Sequence, residues 1–372
     1  MTTPQSAGPH SHSLGQIDVM VVDDSAVVRQ RIKSIIESDA RFRVVLAADP
    51  YEAVALLSKS VPGVILLDVE MPRMDGLTFL RKLMRQHPMP VVLCTDQAER
   101  AVTALEMGAI EVIAKPDWRD PAKMAAWGHN LLESVQNAAR AGRLPMREDK
   151  QAADPRHTAD AVLPKLPFVP RAGVFEHVVA VGVSTGGVQA VPKMLEGFPA
   201  DAPGIVIVQH MPADFIPVFV SRLDANPAIK LRVSVAKHLD PIVPGHVLVI
   251  PGEGHGLIRR TGAGYRVELV EGPPVCWHKP SAEVLFRSTA QAAGPLAAGV
   301  IMTGMRDDGA GGLLEMREAG ALTIAQNEAT CAVFGMPQAA IRRGAVKFVT
   351  PLDRIAATVM GWHTSESGTR PA

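Results

Sequence analysis

A single serine interrupts an apolar stretch in the second half of the chain. Residues 182–186 read GVSTG, which fits the G-x-S-x-G pattern of a nucleophilic serine at a turn from strand to helix. Small residues around Ser184 would let a substrate carbonyl approach the backbone, and amides at a helix start can stabilise an oxyanion. The pattern alone is equally consistent with a tight turn that needs glycine, so it requires catalytic partners.

A serine nucleophile needs a base, and His210 is the first candidate. It follows the next apolar run, in VQHMP, while Asp307 and Asp308 follow a later run, in MTGMRDDGAGG. Because parallel strands end at one edge of a sheet, these side chains are expected to lie near Ser184. An aspartate held against His210 would fix its tautomer and stabilise the imidazolium. The weaker histidine candidates are His238, His255 and His278.

The first half of the chain carries a second set of polar groups at expected strand ends. Asp23, Asp24 and Asp68 follow two apolar runs, and Thr95 and Lys115 follow two more. Three carboxylates at one sheet edge repel each other unless they share a hard cation, and Mg²⁺ fits that donor set. Such a site lets a carboxylate take a phosphoryl group, with a hydroxyl and an ammonium group beside it.

Alternating strand and helix patterns would position both sets. Residues 17–140 predict a doubly wound α/β domain with a parallel sheet. Residues 141–172 have scattered prolines and no periodicity, which indicates a linker, and residues 1–16 are interpreted as a disordered tail. Residues 173–360 predict a second doubly wound, Rossmann-like domain, with an added antiparallel hairpin within residues 245–272. The chain order serine, histidine, aspartate differs from that of α/β-hydrolases, so that fold is not expected.

Composition excludes several classes of protein. The chain has 372 residues with 38 basic and 38 acidic side chains, so no basic surplus favours binding to nucleic acid or an anionic membrane. Its three cysteines are an odd number and far apart, which predicts reduced thiols. With no signal-peptide pattern and no apolar run long enough to span a bilayer, a soluble cytoplasmic protein is expected.

The first domain resembles the receiver domain of bacterial two-component response regulators. The matching segments are VVDDS, LLDVEMPRMDG, CTD and AKP. The resemblance implies that Asp68 accepts the phosphoryl group from a sensor histidine kinase and binds Mg²⁺ together with Asp23 and Asp24. It also implies that Thr95 and Lys115 sense the phosphate, and that the bond between Lys115 and Pro116 is cis.

The whole chain resembles the chemotaxis response regulator protein-glutamate methylesterases. The second domain contributes GVSTGG, QHMP, HKPSAEVLF, TGMRDDGAGG and AQNEATCAVFGMP. The resemblance implies that Ser184, His210 and Asp308 form a catalytic triad, because Asp308 directly precedes a Gly-Ala pair as the family's aspartate does. It also implies that Thr185 and Met305 supply donors to the oxyanion.

The resemblance implies a function as well. Such an enzyme hydrolyses glutamate methyl esters on methyl-accepting chemotaxis receptors, releases methanol and deamidates certain receptor glutamines, without a metal in the catalytic domain. Phosphorylation of the receiver would relieve its hold on the catalytic serine. One residue departs from the family pattern: Arg306 stands where glycine is usual, and an arginine there would crowd the site or lower the pKa of Asp308.

Two other functions remain as alternatives. A response regulator whose second domain binds DNA would need a basic recognition helix, and the sequence contains no such segment. An esterase for small molecules would use the same three side chains. Turnover of a simple ester without turnover of a methylated receptor would favour that second alternative.

Overall fold

The computed structural model describes residues 16–116, 118, 120–142, 157–170, 176–262 and 264–367. The chain divides into two compact units, and the described residues contain two large parallel sheets. The predicted tail lies outside the described residues apart from Gln16, and so does much of the predicted linker.

The first sheet has the strand order that the sequence predicts for a doubly wound domain. Its strands are β1 (Ile17–Val22), β2 (Phe42–Ala47), β3 (Val64–Asp68), β4 (Val91–Cys94) and β5 (Glu111–Ile113). The accompanying helices are α1 (Ala26–Ile36), α2 (Pro50–Leu57), α3 (Gly76–Gln86), α4 (Ala98–Glu106) and α5 (Pro121–Ala141). The order β2-β1-β3-β4-β5 is flavodoxin-like. Strand β3 is buried along its whole length, as expected for a parallel strand covered on both faces.

The second sheet confirms the predicted Rossmann-like arrangement. The remaining strands are β6 (Val178–Val183), β7 (Gly204–Gln209), β8 (Arg232–Val235), β9 (Pro241–Ile242), β10 (His246–Val249), β11 (His255–Thr261), β12 (Gly264–Val270), β13 (Ala297–Ile301), β14 (Leu322–Gln326) and β15 (Phe348–Thr350). The sheet order is β15-β14-β13-β6-β7-β10-β8. Leaving out the edge strand β8, this is the doubly wound order, and the direction of winding reverses between β6 and β13.

Helices alternate with the strands of this sheet along the chain. They are α6 (Gly187–Glu196), α7 (Ile216–Asp224), α8 (Ala282–Ala293), α9 (Ala310–Glu318), α10 (Met336–Arg342) and α11 (Ile355–Ser367). Strands β6, β7 and β13 are buried at every residue. Their continuous apolar character explains why the sequence allowed their identification.

The predicted antiparallel hairpin is confirmed, although only part of the segment 245–272 belongs to it, and the predicted cis peptide bond was wrong. The hairpin is formed by β11 and β12, and β12 also pairs with β9, whereas β10 pairs in parallel with β7 and β8. Residues 247–250 are fully buried, so an unbroken apolar run here is a central parallel strand and not half of a hairpin. Among the described residues, the cis peptide bond is Lys279–Pro280 and not Lys115–Pro116. Proline makes both isomers accessible, so tertiary contacts decide between them.

Part of the predicted linker packs within the second structural unit. Residues 157–170 include a 3-10 turn at Ala159–Ala161, and the side chains of Ala159 and Leu163 are buried. They lie in a small apolar cluster with Leu257, Val275 and Val284. This part of the chain is therefore built into the second structural unit.

Two global expectations can be compared with the structure. The three cysteines form no disulfide. Within the described part of the chain, no helix combines the length and the apolar character needed to cross a membrane.

Candidate active site

Ser184, His210 and Asp308 each follow a central strand of the second sheet. Ser184 follows β6 and His210 follows β7, and these strands pair with Val183 opposite Gln209. The His210 amide donates a hydrogen bond to the Val183 carbonyl at 3.0 Å. Asp308 lies in the loop between β13 and α9, on the other side of β6. The strand ends that carry these residues thus lie where the sheet reverses its winding, the usual binding position in such folds.

The serine occupies a tight turn in which glycines are required. Gly186 has a φ of 84°, in the left-handed region, and caps the N-terminus of α6. A Cβ atom on Gly187 would lie 1.9 Å from Gln209 Oε1, and one on Gly304 would lie 2.8 Å from the Ser184 Cβ. The turn therefore needs glycine for structural reasons, and the same geometry leaves Ser184 at the surface of the sheet edge.

His210 and Asp308 form a direct, water-excluded contact. The His210 Nε2–H group donates to Asp308 Oδ2 at 2.8 Å, with side-chain exposures of 8% and 0%. The other ring nitrogen, Nδ1, is buried and has no hydrogen-bond partner among the described residues. The hydrogen bond that a serine nucleophile makes to its base is therefore not formed in this structure. Such bonds often shorten only when substrate is present.

The N-terminus of α8 holds the Asp308 carboxylate. Oδ1 accepts from Ser281 Oγ at 2.6 Å and from the Glu283 amide at 3.1 Å, and Oδ2 also accepts from the Ala282 amide at 2.7 Å. Burial by itself would raise the pKa of Asp308. The hydrogen bond and charge of His210, with further help from Ser281, outweigh it and hold the pKa below the ordinary value. The carboxylate therefore stays ionised where a positive charge would form on His210.

Asp307, the alternative aspartate, points elsewhere. It accepts a hydrogen bond from the Arg343 guanidinium at 2.9 Å. The next residue, Asp308, is the aspartate whose carboxylate contacts His210.

Arg306 stacks on an aromatic ring. Its guanidinium carbon lies 4.6 Å from the centre of the Trp277 ring. The φ of Arg306 is 60°, a left-handed conformation in which glycine is favoured.

Two histidines that the sequence ranked as weaker candidates lie beside the site. The His278 ring stacks on His210 with centroids 3.8 Å apart and planes 15° apart. His255 is fully buried, and its Nδ1 accepts from the Ser281 amide at 3.2 Å. His238 contacts the backbone of Leu269 instead. No periodicity marks either residue as part of the site, since His278 lies in the loop between β12 and α8 and His255 is the first residue of β11.

Glu283 is a second carboxyl group beside Asp308, and it is partly buried. Its Oε2 accepts from the Gly311 amide at 3.0 Å. Burial, followed by repulsion from Asp308, raises the pKa of Glu283 from 4.5 to about 7. Sequence analysis missed this residue, because a glutamate in the first turn of a helix is ordinary helix chemistry.

The Glu283→Gln variant is expected to be more stable than the wild type at pH 8 and not at pH 4. Because folding raises the pKa of Glu283, protonation of this side chain stabilises the folded state. That stabilisation is complete below pH 4.5 and is lost as the pH rises to about 7. The shift in pKa from 4.5 to about 7 corresponds to about 3 kcal/mol at most in the free energy of unfolding. Glutamine stays neutral and can still accept from Gly311. Thermal unfolding at both pH values measures the effect, and an equal gain at pH 4 would contradict it.

The edge of the first sheet carries the predicted acidic cluster. Carboxylate oxygens of Asp23, Asp24 and Asp68 lie within 4.8 Å of one another. Asp23 and Asp68 are 3% exposed, and Asp24 is open to solvent. These hard oxygen donors suit Mg²⁺, and burial of two of them leaves charge that a cation would neutralise. Thr95 follows β4, which is next to β3 in the sheet order, and Lys115 follows β5, which is next to β4.

Comparison with known proteins identifies both halves of the chain. Residues 19–125 match the response regulator receiver domain, and residues 179–359 match the CheB methylesterase family. The chain thus joins a receiver domain to a CheB methylesterase domain.

Curated relatives match this chain along most of its length. The chain is 51% identical over 348 residues to protein-glutamate methylesterase/protein-glutamine glutaminase 5 of Anaeromyxobacter dehalogenans, covering 91% of this chain and 94% of that protein. It is 49% identical to a Geobacter metallireducens relative of the same name, numbered 3, covering 93% and 98% of the two chains. The chain belongs to the protein-glutamate methylesterase/protein-glutamine glutaminase family.

Solved structures are similar to each half separately. The catalytic domain of Thermotoga maritima CheB methylesterase is 29% identical, with a TM-score of 0.48, and covers 50% of this chain and 98% of its own. The response regulator domain of Thermotoga maritima CheB is 35% identical, with a TM-score of 0.31, and covers 34% and 97%.

Proposed function

We propose that this chain is a serine hydrolase that removes methyl groups from glutamate methyl esters of chemotaxis receptors. The single observation that carries the mechanism is the buried Asp308 carboxylate, bound by His210 on one side and by the N-terminus of α8 on the other. Such a pair orients an imidazole as a general base and stabilises it once protonated. Residues 17–140 would form the receiver and residues 173–360 the catalytic domain.

Each catalytic residue has a defined step. His210 Nδ1 takes the proton of the Ser184 hydroxyl while the serine oxygen attacks the ester carbonyl. The tetrahedral intermediate collapses with loss of methoxide, which receives the proton from His210 and leaves as methanol. Water, deprotonated by His210, then hydrolyses the acyl-serine and releases glutamate with Ser184 restored. General-base catalysis of this kind contributes about 10² to 10⁴ in rate.

The oxyanion of the intermediate would be stabilised by backbone amides. We assign this role to Thr185 and Met305. Thr185 directly follows Ser184, and Met305 directly follows Gly304, which packs against the Ser184 side chain. Both residues are 6% exposed, so donors there would act with little competition from water. One such donor is worth about 10² to 10³ in kcat.

The same mechanism would hydrolyse a glutamine side chain. The tetrahedral intermediate would then expel ammonia in place of methanol, and the acyl-serine would be identical. Deamidation of receptor glutamines is therefore proposed as a second activity of the same three residues.

Control by the receiver is the second part of the proposal. Asp68 would accept a phosphoryl group from a sensor histidine kinase, while Asp23, Asp24 and Asp68 hold Mg²⁺. When bound, Mg²⁺ neutralises charge on the phosphoryl oxygens. Thr95 and Lys115 would then contact the new phosphate, which adds close to two negative charges.

The experiment that tests the function is methanol release from a methylated chemotaxis receptor. Purified full-length protein should release methanol, and an amidated receptor should yield ammonia. Turnover of a simple ester without any turnover of methylated receptor would support the small-molecule esterase instead. Binding to DNA without either activity would support the response-regulator alternative.

The Asp68→Asn variant is expected to lose activation by a phosphodonor while keeping its basal rate. An amide cannot form the acyl phosphate, so a phosphodonor cannot change the activity of the catalytic residues through this receiver. A small acyl phosphate should activate the wild type about 5- to 150-fold, the usual range of such coupling. The measurement is methanol release with and without the donor.

A matched control separates phosphorylation from loss of structure. Asp18 lies at the other end of β1, where it pairs with Arg43, so Asp18→Asn should remain activatable. Activation of Asp68→Asn as strong as that of wild type would refute receiver control through this residue.

A further inference from the structure

A strained turn lies directly beside the proposed catalytic base. The amides of Val275 and His278 each donate to the other residue's carbonyl, at 3.0 and 2.9 Å. The two residues between them, Cys276 and Trp277, have φ values of 49° and 67°. Both central positions are left-handed, which normally requires glycine or asparagine. Strain of this kind persists only where surrounding contacts hold the conformation.

The turn presents the His278 ring to His210. The two imidazoles are nearly parallel, 3.8 Å between centroids. Burial, with the charge of His210 next in importance, lowers the pKa of His278 to about 3. The other charged groups that act on it are Asp308 and Arg306. The stacked ring of His278 is therefore neutral at working pH and adds no positive charge beside His210.

A segment from the predicted linker holds this turn in place. We call residues 157–163 the strap. The Cys276 amide donates to the His157 carbonyl at 3.1 Å, and His157 pairs with Val275 as a parallel bridge. Leu163, 5% exposed, packs in the cluster that contains Val275 and Cys276. Both ends of the strap therefore contact the turn or its apolar support.

The strap is also fixed to the helix that holds Asp308. Arg287, on α8, is 6% exposed. Its Nη1 donates to Asp160 Oδ1 at 2.7 Å and to the Leu163 carbonyl at 2.9 Å, while its remaining nitrogens bind Glu315. The strap thus joins the helix that orients the aspartate to the turn that orients the stacked histidine.

We propose that His278 is a positioning residue for His210 and that the strap keeps it in position. The stacked ring prevents rotation of the His210 imidazole, so Nε2 stays on Asp308 and Nδ1 stays available to Ser184. A neutral aromatic face also interacts favourably with the imidazolium when the proton is taken up. Part of the connection between the two domains is therefore part of the catalytic apparatus. This inference rests on the proposed function.

Substitution of His278 tests the stacking itself. His278→Ala should lower kcat about 10-fold or more with KM nearly unchanged, as loss of groups that orient a catalytic residue does. His278→Phe keeps a neutral flat ring and should restore kcat to within about threefold of the wild type. Wild-type activity of the alanine variant, or equal losses in both variants, would overturn the proposal.

Substitution in the strap tests the connection. Leu163→Ala should also lower kcat without changing KM, because it removes the buried support of the turn. Leu166→Ala is the matched control, since Leu166 lies in the same segment but is 60% exposed. If the strap acts through His278, the losses from Leu163→Ala and His278→Ala should not add. Additive losses, or no loss from Leu163→Ala, would overturn the role of the strap.

A second readout separates this inference from the proposed function. The rate at which a serine-reactive phosphonate labels Ser184 reports the orientation of His210 without any receptor. One outcome is that the wild type releases no methanol, while labelling of Ser184 is slow in His278→Ala and normal in His278→Phe. That outcome would refute the proposed substrate and support the positioning role of His278. If the wild type releases methanol but every variant is labelled at the same rate, the proposed function stands and the positioning role is refuted.

Discussion

The Asp308→Asn variant is expected to lose about 10⁴-fold in kcat, as the equivalent change does in another serine hydrolase triad. An asparagine can turn its NH₂ group toward His210, and the imidazole then adopts the wrong tautomer for accepting the serine proton. The Ser281 hydroxyl and the Glu283 amide can still donate to the remaining oxygen, so the fold should survive. Methanol release at saturating receptor gives kcat, and circular dichroism with thermal unfolding checks the structure.

Asp307 provides the control for this prediction. Asp307→Asn changes the neighbouring carboxylate, which pairs with Arg343 and not with His210. Its kcat should stay within about threefold of the wild type, since exposed ion pairs contribute little. Equal losses from both variants, or a large loss from Asp307→Asn alone, would show that the aspartate has been misassigned.

The titratable groups around His210 differ in their charge. Asp308 is held ionised by hydrogen bonds despite burial, whereas burial keeps His278 neutral and raises the pKa of Glu283 to about 7. One firm negative charge therefore faces the imidazole, and the stacked ring adds no positive charge. This arrangement favours a single protonated imidazole during the reaction, which is what general-base catalysis by His210 requires.

The positions of the proposed triad could be predicted from the sequence because they follow buried strands. β6, β7 and β13 are continuous apolar runs, and the rule that parallel strands end at one edge places Ser184, His210 and Asp308 together. The same reasoning brought Asp23, Asp24 and Asp68 to one edge of the first sheet. In both halves, a short-range pattern specified a strand end, and sheet topology converted strand ends into a site.

The surroundings of the site could not be predicted in this way. His278 and Glu283 belong to a loop and a helix start, where no period in the sequence reports which neighbour a side chain meets. The strap was interpreted as part of a linker because it lies among the scattered prolines of residues 141–172, which carry no periodicity. In the structure, the burial of Leu163 and the hydrogen bonds from Arg287 hold it in place. β10 was assigned to the hairpin because local pattern does not reveal which partner strand an apolar run will find.

Replacing Ser184 by alanine is expected to have the largest effect, about a 10⁶-fold loss in kcat, as found when a triad serine is removed. Without the hydroxyl no acyl intermediate forms, and His210 and Asp308 can only assist direct attack by water. His210→Ala should cost a similar factor, and the double variant should be no slower than either single variant because the groups act as one unit. Methanol release and labelling by a serine-reactive phosphonate measure the two consequences independently.

Ser221 supplies the control, since it is exposed on α7 and has no role in the proposed mechanism. Ser221→Ala should retain both activity and labelling, whereas Ser184→Ala should lose both. Labelling that persists in Ser184→Ala would mean that another hydroxyl is the nucleophile. Methanol release at the wild-type rate without labelling would mean that the ester is hydrolysed without an acyl-serine, and His210 would then act directly on water.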